Sequence, residues 1–140
     1  MIDHYQSDDE IRSLVSAFEA CSFHPSEFRH HQHLAVVLWY VATLPYDEAA
    51  EQMKRGIQRL AASYGKTGYH ETITEFWLRM VRGFLAAGDR PKSIAVLANQ
   101  VVEMYDKNLI LDYYSPELLA SPEAKANWLE PDLKRLPFPD

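Results

Sequence analysis

The chain has 140 residues, with 20 acidic side chains against 14 basic ones and a formal net charge of -6 at pH 7. That length suits one domain, able to bury roughly 68 to 70% of its unfolded surface around a single core. A hydrophobic share of 47% and a charged share of 24% are ordinary for a globular protein and exclude a disordered or fibrous chain. The acidic balance speaks against a nucleic-acid partner, because phosphate binding relies on clustered Lys and Arg.

Cys21 is the one cysteine, so no intrachain disulfide forms, and Met1 to Ser7 carry neither a basic nor an apolar leader. The most apolar run, Leu34 to Leu44, is about half of a membrane-spanning length. A cytoplasmic, reducing location with no membrane partner is the expectation.

Proline and glycine divide the chain into helical blocks, and no alternating apolar and polar run argues for a sheet. Ser7-Asp8-Asp9-Glu10 has the form of a capping box, opening a first helix whose apolar face is Ile11, Leu14, Val15, Phe18 and Cys21. His24-Pro25-Ser26 breaks the chain. Ser26 is placed to cap a second helix from about Glu27 to Leu44, which Pro45 ends. After His33 this helix is apolar nearly all round, the pattern of a central helix.

Asp47 to Tyr64 reads as an amphipathic third helix, with Ala49, Ala50, Met53, Ile57, Leu60, Ala61 and Tyr64 inward and Gly65 as a left-handed stop. Lys54, Arg55 and Arg59 read as its solvated face. A fourth helix is expected from about Tyr69 to Ala87, burying Ile73, Phe76, Trp77, Met80, Val81 and Phe84. A fifth, with Pro91 in its first turn, turns Ile94, Leu97, Ala98, Val101, Val102 and Tyr105 inward. Two Ser-Pro-Glu triplets, at Ser115 and Ser121, each have the form of a helix start. The tail from Pro131 to Asp140 is expected to pack through Leu133, Leu136 and Phe138. The fold class is therefore all-α: a single-domain bundle of five or six helices over residues 1–140, with an irregular Pro-rich C-terminal arm.

Four of the six histidines fall in two clusters, Arg29-His30-His31-Gln32-His33 and Tyr69-His70-Glu71. Histidine is the commonest metal ligand and titrates near neutrality. Residues three apart share a helix face, so His30 and His33 converge while His31 points away. His70 flanks the buried stripe of the fourth helix. Glu71 lies a further 100° round, which suits a general base or a supporting acceptor better than a direct ligand.

These stretches carry a resemblance. Phe28-x-His30-x-x-His33-Leu34, Tyr69-His70-Glu71-Thr72-Ile73-Thr74, Tyr113-Tyr114-Ser115-Pro116 and Pro131-Asp132-Leu133 with Leu136-Pro137 together resemble a family of short uncharacterised bacterial all-helical proteins. The resemblance implies a shared fold and a single feature made of His30, His33, His70 and Glu71; it implies no activity. A looser similarity is to helical metal-dependent phosphohydrolases. His33, His70-Glu71 and Asp106 or Asp112 follow their order of ligands, with Glu replacing Asp in the pair.

Two functional readings follow. In the first, His30, His33 and His70 bind a divalent transition metal (Zn, Fe, Ni or Mn), with the fourth position open to a water or to a carboxylate from Asp106 or Asp112. His70 and Glu71 then take part in catalysis by a metal-dependent hydrolase or lyase acting on a small molecule of unassigned class. In the second, the chain is a non-enzymatic helical module that binds a ligand or protein or forms a homodimer, and its His and Glu clusters are a structural hydrogen-bond network.

Overall fold

The computed structural model describes residues 4–22, 25–66, 69–88 and 93–138. Five longer helices, α1 (Asp8–Glu19), α2 (His30–Thr43), α3 (Tyr46–Ser63), α4 (Glu71–Ala87) and α5 (Ile94–Met104), are followed by two short ones, α6 (Pro116–Leu119) and α7 (Pro122–Ala126). No strand occurs among the described residues. The segment after α7 runs back irregularly over the bundle as the Pro-rich arm. No helix is long and apolar enough to cross a membrane, among the described residues.

The centre of the bundle is α2, which packs against α1, α3, α4 and α5. Leu34, Ala35, Val36, Val37 and Leu38 are consecutive and all 0% exposed, which only a helix covered on every side can achieve. Each larger side chain among them contributes about 1.5–3 kcal/mol through burial. Phe18 of α1, Met53 of α3, Phe76 and Leu78 of α4, and Val101 of α5 close the core around them.

Helix ends follow local chemistry. Ser7 Oγ accepts from the Glu10 N–H at 3.3 Å, and Glu10 Oε1 reaches back to the Gln6 N–H at 3.0 Å. Ser115 Oγ and Ser121 Oγ cap α6 and α7 in the same way, accepting from Leu118 and Ala124, with Pro at the first helical position. Gly65 takes a φ of +67° and closes α3 with the Gly65 N–H on Ala62 O and the Lys66 N–H on Ala61 O.

Elsewhere the boundaries move. Helix α1 stops before Cys21, which still packs partly buried against the core but adopts a φ of +52° outside the helix. The Cys21 N–H on Phe18 O and the Ser22 N–H on Ala17 O make the same left-handed stop as at Gly65, here without glycine. Ser26 does not cap α2. It lies in a single 3₁₀ turn, Pro25–Glu27, while Phe28 stays outside the helix to stack on Phe18, centroids 4.9 Å apart. Arg29 becomes the residue before α2, and its N–H is taken by Gln32 Oε1 at 3.1 Å. Tyr64 and Leu133, expected inside, are 43% and 55% exposed. His24 and Pro91 lie outside the described residues.

Two glycines let aromatic rings approach bare helix. A Cβ at Gly56 of α3 would overlap the Phe18 ring, and one at Gly83 of α4 would overlap the Phe138 ring of the arm. Gly56→Ala should therefore destabilise the protein by about 1–3 kcal/mol, although alanine is the better helix former by about 1 kcal/mol. Chemical denaturation with an unchanged slope reads this directly, and an equal or higher midpoint would contradict it.

Candidate functional site

Because α2 starts at His30, the first histidine cluster is that helix's opening turn. His30 Nε2 donates to the Tyr105 carbonyl at 2.7 Å, tying the start of α2 to the end of α5, and its ring meets Trp77 edge-on at 4.8 Å. His31 is exposed and faces the His4 ring at 4.3 Å. His33 is partly buried, with its ring edge-on to Phe28. Burial first, and then the neighbouring His30, pull the His33 pKa down to about 4.

The second cluster is built differently from its expected helical register. Helix α4 starts at Glu71, two residues later than the spacing suggests, so His70 is not an inward-facing helical residue but the cap. Its Nδ1 accepts from the Ile73 N–H at 3.1 Å, and its Nε2 donates to the Leu119 carbonyl at 2.7 Å. Both ring nitrogens are thereby used. Next to it, Thr72 Oγ1 donates to the Asn127 carbonyl at 2.5 Å and accepts from the Leu129 N–H at 3.2 Å. The start of α4 is thus sewn to the segments around α6 and α7.

His30 and His33 are neighbours at the start of α2, whereas His70 engages the first turn of α4 and the Leu119 carbonyl. Among the described residues, no set of three His, Cys, Asp or Glu side chains is arranged to hold a metal ion. Asp106 is exposed and accepts from the Asn108 N–H at 3.0 Å, and Asp112 is also exposed. Neither approaches His70 through a hydrogen bond. Glu71, expected as a general base or imidazole partner, instead accepts from the Tyr69 hydroxyl at 2.6 Å and from Lys54 Nζ at 2.8 Å.

That lysine opens an extended polar network between α3 and α4. Lys54 is not a solvated side chain. It projects from the flank of α3 against α4 and binds Glu71 at 2.8 Å and Glu75 at 2.7 Å. Glu75 is 7% exposed and also accepts from Tyr46 Oη at 2.8 Å and Arg79 Nε at 3.0 Å. The Arg79 guanidinium stacks on Trp128 at 4.1 Å, and Arg82 lies 4.1 Å over the Tyr46 ring. These groups line an open cleft of about 710 Å³ between α3, α4 and Trp128, edged by the Arg55–Glu51 ion pair.

The charge states of the cleft are firmly set. Burial alone would push the Glu75 carboxyl up, but donors from Lys54, Tyr46 and Arg79 outweigh it and hold Glu75 below the usual carboxylate range. For Lys54, burial pulls down while Glu71 and Glu75 more than restore it, so the ammonium is held above its ordinary value. Burial and neighbouring carboxylates push the phenols of Tyr46 and Tyr69 up. All four shifts lead away from neutrality.

Tyr46, Lys54, Glu75, Arg79, Arg82 and Trp128 were not among the sequence-derived candidates. The available signal was the stripe Glu71, Glu75, Arg79, Arg82 at helical spacing on a helix otherwise buried. We found no match between the chain and any family model, curated protein or solved structure.

Two outcomes test this geometry. His70→Ala should lose a cap and a long-range hydrogen bond, about 2 kcal/mol together, and His70→Asn should recover about half by restoring the cap alone. Equal stability of both variants and the parent would refute the double role. For His33, the neutral form is favoured on folding, so its stabilisation is complete above the unfolded pKa of about 6.5 and falls as pH drops toward 4. The loss is about 2–3 kcal/mol, nearer the lower figure because the ring is partly solvated. His33→Gln should flatten the stability profile across that window, as measured by denaturation at a series of pH values.

Proposed function

We propose that this chain is a non-enzymatic helical binding module in which the histidines join helix ends and the charged cleft between α3 and α4 faces the ligand. The observation that carries the reading is His70. Coordination through either ring nitrogen would break the α4 cap or the bond to Leu119. His30 spends Nε2 on Tyr105 in the same fashion.

The cleft supports this reading from the other side. General acid–base catalysis works best with a group whose pKa lies near the operating pH, whereas Lys54, Glu75, Tyr46 and Tyr69 are all displaced from it. A preformed, mutually neutralised set of charges is suited to holding an oriented ligand rather than to moving protons. Its ligand is a small molecule, and the net negative charge disfavours nucleic acid. A lone cysteine fits a reducing, cytoplasmic compartment.

Elemental analysis of protein purified without chelator tests the reading. Zinc, iron, nickel and manganese should be substoichiometric, and EDTA should leave the melting temperature unchanged. A stoichiometric metal that disappears in the His30→Ala, His33→Ala double variant would overturn the proposal in favour of a metal-dependent hydrolase or lyase.

A further inference from the structure

Where the C-terminal arm crosses the last turns of α4 it does not seal them. Phe138 sits against the bare backbone of Gly83, and beside it a cavity of about 350 Å³ remains, bounded by Arg79, Arg82, Ala86, Leu136 and Phe138. This volume and largely apolar lining fall within the range of small-molecule sites. Among the described residues, the charged groups in the lining are two guanidiniums, with no carboxylate to oppose them.

The two arginines are not equivalent. Arg79 is spent on Glu75 and Trp128. Arg82 forms no ion pair with any described residue. Its guanidinium carbon is held 4.1 Å over the Tyr46 ring, a contact that occupies no hydrogen-bond acceptor and leaves its N–H groups available to donate. An ordered cation in the lining of an apolar cavity selects a ligand of matching form: an apolar tail and a single anionic head that takes two parallel hydrogen bonds from the guanidinium.

We propose that this cavity binds a free medium-chain carboxylate, its tail between Ala86, Leu136 and Phe138 and its carboxylate on Arg82. This inference rests on the reading of the chain as a binding module and adds a second site beside the charged cleft, the two sharing Arg79 and Arg82. A neutral tail would leave Arg82 without an anion, a cationic head would meet two guanidiniums, and a two-chain lipid exceeds the space.

Calorimetric titration with octanoate, 1-octanol and octylammonium tests the proposal. Octanoate should bind about tenfold or more tightly than either analogue. Arg82→Gln should erase that preference. Ala86→Trp, at an exposed position on α4, should fill the cavity and abolish binding of all three. Equal affinity for octanoate and octanol, a preference that survives Arg82→Gln, or unchanged octanoate binding in Ala86→Trp would each overturn it. Metal-free protein that ignores octanoate fails this site alone, whereas metal-loaded protein that binds octanoate fails the module reading and leaves this site standing.

Discussion

The Glu75 carboxylate is the interaction on which the rest of the structure turns. A charge placed at a nearly closed helix interface costs several kcal/mol unless donors surround it. Here they come from two helices: Lys54 and Tyr46 from α3, Arg79 from α4 itself. Meeting that demand fixes the register of α3 against α4. It also sets the plane of Arg79, which in turn seats Trp128 and so the segment following α7. Packing against α2 builds the bundle, and this one buried charge sets how its outer face is joined.

The same demand for partners accounts for the surroundings of His70. An imidazole has two nitrogens, and a folded chain that uses both for its own backbone has none left to offer. His70 is in that state because the helix it precedes would otherwise start with unsatisfied N–H groups. Glu71, immediately after it, is drawn toward Lys54 rather than toward any ring. The cluster is dense in sequence because a helix start, a lysine partner and the link from Thr72 to the segment after α7 fall on consecutive residues.

How much of this could be read from the residues alone depends on how local the cause is. Ser7, Pro45, Gly65, Ser115 and Ser121 act on their own neighbours, and each marks a real helix boundary. The central position of α2 was legible because its apolar run leaves no side for water. Cys21 was not, since a left-handed residue other than glycine carries no compositional sign and depends on the turn closing around it. The site suffered most from a shift of two residues. Histidine is an uncommon cap, so an expected start of α4 at Tyr69 hid the capping role of His70. Lys54 lies next to the buried stripe of α3 and resembles solvated surface until α4 supplies the carboxylates. Convergence of α3, α4 and Trp128 is tertiary, and no single segment contains it.

The stitches at the start of α4 also set an order of events during synthesis. Leu119 follows His70 by 49 residues, and Leu129 follows Thr72 by 57. While the ribosome is still translating that stretch, α4 has its core-facing residues but lacks the partners that finish its first turn. Closing a loop of this length is only modestly unfavourable in entropy, but the loop has to exist first. The amino-terminal end of α4 is therefore completed late, and nascent chains halted between α5 and α6 would carry a frayed, protease-sensitive start to an otherwise core helix.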